Sequence, residues 1–325
     1  MSKCPWRIAR ALPILAGMLG CCTATAQDVY PGKPIRIICP YTAGGTATVL
    51  AHLIGQHLSK AWGQPVIVDN RPGGNTIIGT ELLARAQPDG HTIMIQNSSH
   101  VINPSLVKTP YDALADFSPV ATVVTTSYLM AVHPGVRASS VEELVELART
   151  RPGHLNYAST GNGSVTHLLA ELFAMTANAK MTHIVYKGSS PAFVDLVAGQ
   201  VQVFFSPPNV TTQFLKGGKL KALAITGSTR FPSLPQIPTF VEAGLQGMNV
   251  TIWFGILAPK GVPAPVANKL AAEIGRLVST AESVSRLTEQ GLIPLVSSPG
   301  EFRAMMRDDL ATFARVIKLG NIRGD

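Results

Sequence analysis

The sequence predicts an α/β chain of two similar lobes, and three observations predict it. Apolar runs of strand length alternate with amphipathic segments along most of the chain, the pattern of a parallel sheet with covering helices. The series occurs twice in the same order, with glycine turns at matching offsets: Gly45 to Gly163 is 118 residues and Gly73 to Gly188 is 115. Beyond residue 257 the pattern is helical with no new sheet, so these helices cover one already built, that of the first lobe. The expected division is therefore a leader at 1–26, a first lobe from 27–126 and 250–325, and a second lobe inserted at 127–249. Two connections near 124–130 and 246–254 form the hinge.

The leader comes first in the chain. Lys3, Arg7 and Arg10 precede a short apolar stretch at 11–22, and Ala24-Thr25-Ala26 fits a small-x-small cleavage site before Gln27. That stretch is too short to span a bilayer, and no later one reaches about 18 uninterrupted apolar residues. The mature chain is expected to work in the periplasm. Lipid attachment at Cys21 is a second reading, but Met18-Leu19-Gly20-Cys21 matches a lipoprotein box poorly. Cys4, Cys21 and Cys22 leave with the leader, so Cys39 has no partner for an internal disulfide and reads as a small buried hydrophobe. The net charge of +8 falls to +5 without the three leader cations. This modest excess, with no basic run, does not indicate nucleic acid and suits an anionic ligand.

The first series is a strand at 35–39, a helix near 46–62, a strand at 66–69, a turn at Pro72-Gly73-Gly74, a helix near 78–86 and a strand at 92–95. The second runs through a strand at 155–158, a helix at 165–177, a strand at 183–185, a turn at Lys187-Gly188-Ser189, a helix at 191–198 and a strand at 201–205. A helix at 210–217 and a strand at 220–225 follow, then a proline-rich surface loop at 231–238. The run at 250–257 reads as a strand crossing back. The helices after it carry Leu270, Ile274 and Leu277, then Phe302, Met305, Met306 and Leu310, on their dry faces.

Between the first strand and helix of each series lies a glycine loop: Tyr41-Thr42-Ala43-Gly44-Gly45-Thr46 in one, Ser159-Thr160-Gly161-Asn162-Gly163-Ser164 in the other. A strand that turns on glycines into a helix makes an anion cradle, because the helix's first N–H groups point outward and its dipole favours negative charge. Taken singly each is equally well an ordinary βα turn. Nucleotide readings fail on detail: no Lys-Ser/Thr follows the glycines, no third glycine closes a dinucleotide fingerprint, and no acidic residue stands about twenty positions on. Asn162-Gly163-Ser164-Val165-Thr166 lacks the flanking glycines of a serine-hydrolase elbow. Two such loops facing one another would clamp one small anion, with no catalytic residue and no metal or other cofactor required.

Several ordered blocks carry a family resemblance. They are Tyr30-Pro31-x-Lys33-Pro34-Ile35-Arg36, Gly44-Gly45, Val68-x-Asn70-Arg71-Pro72-Gly73, Pro88-Asp89-Gly90-x-Thr92, the block from Pro152-Gly153 through Ser159-x-Gly161-Asn162-Gly163-Ser164-x-x-His167-Leu168, Tyr186-Lys187-Gly188, Pro235-x-Ile237-Pro238-Thr239 and Trp253-x-Gly255-x-x-Ala258-Pro259. Together they resemble the Bug family, extracytoplasmic solute receptors of tripartite tricarboxylate transport systems, from Tyr30 to about Ile322. The resemblance implies a periplasmic-binding-protein fold of type II, no catalysis, a small carboxylate closed between the lobes, membrane transporter subunits as partners, and a monomer. It places ligand contacts at Thr42 to Thr46 and Ser159 to Ser164, with His167 one turn into the helix and Tyr186 and Lys187 at the neighbouring strand end; Tyr41, Thr48 and Ser206 are expected to line the same site. Three departures bear on the ligand: Thr48 stands where the family commonly has an acidic residue, Ala43 where it often has proline, and Ser206 where it often has Asp. Two missing carboxylates remove partners for an amino group, so a plain carboxylate is expected over an amino acid.

Individual residues have plainer readings beside these. His167 and Glu171, four apart, share a helix face, but two ligands are no metal site, and His167 reads as a capping or ligand-proximal residue or a structural histidine. Lys187 neutralises a ligand carboxylate or is solvated. Asn97-Ser98-Ser99 supplies donors from Asn97 and Ser98 or starts a turn. Trp253 at the hinge reads as core. A hydrolase in the same cleft would need a nucleophile with a base, which the sequence does not offer; a receptor feeding a sensor rather than a transporter stays open.

Overall fold

The computed structural model describes residues 30–320 and 322. The expected leader, with Cys21, lies outside the described residues. Strand β1 (Ile35–Cys39), helix α1 (Thr46–Trp62), β2 (Val66–Asn70), α2 (Ile77–Ala84) and β3 (Thr92–Asn97) wind a parallel core in which β1 lies between β2 and β3, with Ile37 opposite both Val68 and Ile93. Ile35, Ile37, Ile38 and Cys39 are fully buried, as expected for a strand covered on both faces. A short helix α3 (Ser99–Ile102) leads to β4 (Phe117–Thr126), and only Ser127 and Tyr128 separate β4 from β5 (Leu129–Val132).

The chain continues through α4 (Val141–Thr150), β6 (Asn156–Ser159), α5 (Val165–Ala177), β7 (Thr182–Val185), α6 (Ser189–Val197), β8 (Val203–Ser206), α7 (Pro208–Lys216) and β9 (Lys221–Ile225). It then returns to β10 (Ile252–Pro259), α8 (Ala264–Ser279), α9 (Ala281–Glu289), β11 (Ile293–Pro294) and α10 (Pro299–Leu319). Helix α4 carries a capping signal in its sequence: the Ser140 hydroxyl accepts from the Glu143 N–H, and the Glu143 carboxylate accepts from the Ser139 N–H.

Two sheets result, ordered β2-β1-β3-β10-β4-β11 and β7-β6-β8-β5-β9. Each begins with three parallel strands in the same arrangement and then takes an antiparallel fourth. The fourth strand is in both cases the one that has just crossed over: β4, fifth in one sheet, leads into β5, fourth in the other, and β9 leads back into β10. The lobes thus exchange strands reciprocally, and two backbone connections join them.

Helix α10 departs from the expectation that the terminal helices cover the first lobe alone. Phe302 and Met306 pack with Trp253 and Leu257 in the first lobe, whereas Phe313 and Ile317 enter the core of the second, which also holds Phe173 and Phe205. At about 1.5 Å per residue, 21 residues reach roughly 30 Å, enough to lie across both lobes.

Candidate functional site

The loops that follow β1, β2 and β3 face those that follow β6, β7 and β8, at the carboxyl ends of both parallel cores, where open α/β sheets bind ligands. Residues 41–46 are braced from behind. The Asn70 side-chain amide donates to the Tyr41 carbonyl (2.9 Å) and to Thr48 Oγ1 (3.1 Å), and Thr48 Oγ1 donates to the Thr42 carbonyl (3.3 Å). In a trans peptide the carbonyl oxygen and the next N–H point opposite ways. The Thr42 and Ala43 N–H groups therefore face away from the brace, on a loop whose residues 42–44 are exposed. Gly45 caps α1 in an extended conformation without a side-chain cap, and Gly44 turns the loop at φ +92°. Tyr41 itself is structural: its hydroxyl donates to Gln96 Oε1, and burial pushes its phenol well above the usual range.

Residues 159–164 are held differently. The N–H of Thr160 donates to Thr166 Oγ1 (2.9 Å), that of Gly161 to Ser159 Oγ (3.4 Å), that of Gly163 to His167 Nδ1 (2.9 Å), and that of Ser164 to the Gly161 carbonyl (3.2 Å). The hydroxyls and imidazole around the loop, and for Ser164 the Gly161 carbonyl, have engaged these four N–H groups. Ser164 Oγ caps α5 by accepting from the His167 N–H.

A ring stack lies beneath the loop. His167 and His183 have centroids 3.9 Å apart, inclined at 17°, and His183 lies 4.8 Å from Tyr157, inclined at 8°. His183 Nε2 is 2.6 Å from Ser159 Oγ, which donates to the Gly161 carbonyl (3.1 Å). Tyr157 donates its hydroxyl to Glu171, whose Oε1 lies 3.9 Å from His167 Nε2; burial and then Glu171 hold the Tyr157 phenol far above its ordinary value.

Among the described residues, several juxtapositions join the lobes across the cleft. Thr46 Oγ1 donates to Asn209 Oδ1 (3.0 Å). A methyl group on Gly188 would stand 3.2 Å from Thr42 Oγ1, one on Gly161 4.0 Å from Asn75 Oδ1, and one on Gly163 only 2.2 Å from Leu106 Cδ1. Asn75 is held in a left-handed conformation (φ +48°) by Asn103, donating to Asn103 Oδ1 (2.8 Å) while its carbonyl accepts from Asn103 Nδ2 (2.7 Å). Asn75, Leu106, Gly188 and Asn209 were not among the sequence-derived contacts. The strand–Gly–Gly–helix pattern after β2, read at 70–77 as in the other loops, points to Asn75; nothing local points to Leu106 or Asn209.

Other expected contacts have partners within their own lobe or face solvent. Tyr186 turns its hydroxyl to Asp195 (2.7 Å), and burial, then Asp195, raises its phenol to about 12; Lys187 beside it is exposed. Ser206 is fully buried against Thr211 (Oγ to Oγ1 2.5 Å). Asn97 accepts from the Ser99 N–H (2.8 Å). The Ser98 hydroxyl, fully buried, donates to Asp309 on α10 (3.0 Å), which also accepts from Trp253 Nε1 (2.8 Å). Burial raises the Asp309 carboxyl to about 6 despite those two hydrogen bonds. Trp253 is core, edge-on to Phe302. Among the described residues no group of three or more His, Cys, Asp or Glu is placed to hold a metal, and no helix is long and apolar enough to cross a membrane.

Comparison with known proteins gives a consistent set. Residues 50–322 match the model of the tripartite tricarboxylate transporter family receptor. Protein BugT of Bordetella pertussis is 31% identical over 315 residues, 96% of this chain and 97% of its own. Among solved structures, Rpa4515 of R. palustris with adipate superposes with a TM-score of 0.87 at 30% identity, covering 91% of this chain and all of that one. MatC from Rhodopseudomonas palustris with bound malate gives 0.83 at 28% identity, covering 89% and 100%. The two-lobed α/β fold is that of periplasmic binding proteins of this type.

Proposed function

The chain belongs to the tripartite tricarboxylate transporter receptor family, and from that premise we propose how it holds its solute. It is a solute receptor, not an enzyme, and it binds a small carboxylate in the cleft between its lobes. One ligand carboxylate sits against the outward Thr42 and Ala43 N–H groups at the N-terminal end of α1, where amide hydrogens and helix dipole both favour negative charge. The observation that carries this reading is the brace of Asn70 and Thr48, which fixes those two amides outward. Across the cleft, Thr160, Gly161 and Asn162 close over the ligand from the second lobe, and the exposed Lys187 adds a positive charge at its rim.

The ligand lacks an amino group. Thr48 and Ser206 stand where carboxylates would bind an ammonium, and both hydroxyls are engaged within their own lobes. Adipate and malate, bound by two structural neighbours, are carboxylates of this kind. Working in the periplasm as a monomer after loss of the leader, the closed receptor delivers its solute to the membrane subunits of the transporter.

Thermal unfolding of the mature domain against mono-, di- and tricarboxylates, aromatic acids and amino acids tests this. A ligand at 100 times its dissociation constant stabilises by about 2.7 kcal/mol. Stabilisation by aspartate or glutamate with no response to any plain carboxylate would overturn the amino-group argument, and turnover of a bound acid would overturn the receptor.

A further inference from the structure

We propose that His167 and His183 are positioning residues of the second ligand loop, and that the binding-competent loop requires His167 to be neutral. The proposal rests on the cleft reading above for its ligand, but its geometry stands on the chain's own residues.

His167 Nδ1 accepts the Gly163 N–H at 2.9 Å, so that nitrogen carries a lone pair and the proton of the neutral ring is on Nε2, facing Glu171. His183 holds the other half of the loop through Ser159, whose hydroxyl lies between its Nε2 and the Gly161 carbonyl. Both glycines have positive φ, +148° at Gly161 and +70° at Gly163, a backbone freedom that these bonds fix in one arrangement. The two rings are stacked at 3.9 Å and act as one support.

A second proton on His167 goes to Nδ1. It opposes the Gly163 N–H with another donor and places a positive charge against the His183 ring. Among the described residues, the titratable groups that face His167 are Glu171 on its own helix, Tyr157 on β6 and His183 on β7. Strand β8, the turn at Gln246–Met248 and α10 contribute the uncharged Phe205, Met248, Phe313 and Ile317 to the core around α5. Glu171 favours the imidazolium but is already bonded to the Tyr157 hydroxyl. The chemistry predicts a loop that loosens as His167 is protonated.

The test compares the wild type with His167→Asn, whose Oδ1 replaces the Nδ1 acceptor, His167→Phe, which keeps a ring without one, and His183→Phe. The ligand-free readout is the protection of the Gly163 amide against hydrogen exchange, resolved by NMR. Protection in the wild type is expected to fall from about pH 8 to about pH 5, the window that brackets histidine titration. It is expected to be absent in His167→Phe at every pH and retained without pH dependence in His167→Asn. His183→Phe is expected to loosen Gly161 while the Gly163 bond persists. Affinity for adipate and malate should follow: about tenfold weaker at the acidic end and in His167→Phe, with His167→Asn rescuing binding and flattening the profile. Protection of Gly163 that ignores both pH and His167→Phe overturns the proposal, as does affinity that rises on acidification in the wild type and not in His167→Asn. If protection behaves as expected and no acid of the carboxylate panel binds, the positioning role is supported and the carboxylate reading falls.

Discussion

Residues 41–46 and 159–164 occupy corresponding places in corresponding sheets, each between the middle parallel strand and the helix that follows it. In the first, Asn70 and Thr48 hold carbonyl oxygens from behind, so the amides face out. In the second, Ser159, Thr166 and His167 hold three amides and the Gly161 carbonyl a fourth, so four N–H groups are satisfied within the loop and its supports. Glycines after a strand make both turns possible, and the side chains behind the loop decide which edge of the backbone it shows. The supports also differ in chemistry: a hydroxyl and an amide do not titrate near neutral pH, and a histidine does.

Substituting one glycine in each loop probes this comparison most severely. Gly163→Ala meets Leu106 at 2.2 Å and demands φ +70° of an L residue, so it should cost about 2–4 kcal/mol and keep the lobes from closing. Gly44→Ala, with nothing within 4 Å, should cost only the backbone strain at φ +92°, about 1–2 kcal/mol. Urea unfolding of the two variants checks the ranking, and equal losses would show that Leu106 yields.

Asp309 separates the pH response of stability from that of the second loop. Its carboxyl, raised by burial to about 6, binds a proton more tightly folded than unfolded, so its contribution is fully present below its unfolded value of about 4 and is lost as pH rises through about 6. Asp309→Asn should therefore stabilise by on the order of 2–3 kcal/mol at about pH 7, and the gain should shrink towards zero near pH 4. The difference from wild type is the quantity to follow, because Asp112, held low by the Ala115 and Leu114 amides, works in the opposite direction. A gain that does not change with pH would mean that Asp309 is not the group titrating.

Thr48→Val, like Gly44→Ala, is mild. It keeps the shape and removes the donor to the Thr42 carbonyl and the acceptor for Asn70, so a loss of about 1–2 kcal/mol is expected in chemical denaturation. Binding of adipate or malate should weaken at all pH values alike, in contrast to the pH-dependent loss expected at His167.

Much of this architecture is legible in the chain. The helix predicted at 46–62 and the strand at 183–185 lie within a residue of α1 and β7, because apolar periodicity and glycine stops are local signals. Both glycine loops are visible for the same reason. The orientation of their amides is not, since it depends on Asn70 and on His183, 29 residues from Tyr41 and 24 from Ser159. Ser98 shows the limit most plainly: beside a strand end it reads as a ligand donor, yet its hydroxyl is taken by Asp309, 211 residues away. The path of α10 is a similar case, because an amphipathic face says that a helix is covered without saying by which lobe.

By itself the sequence determined the alternation of strands and helices, the duplicated glycine turns and the absence of a carboxylate at positions 48 and 206. The tertiary structure alone decided that Thr46 meets Asn209, that Leu106 closes on Gly163, and that one loop offers its amides while the other engages them. The physical reason is range: φ/ψ preferences and hydrophobic period act over a few neighbouring residues, whereas a hydrogen bond is decided by whatever side chain the fold brings within about 3 Å.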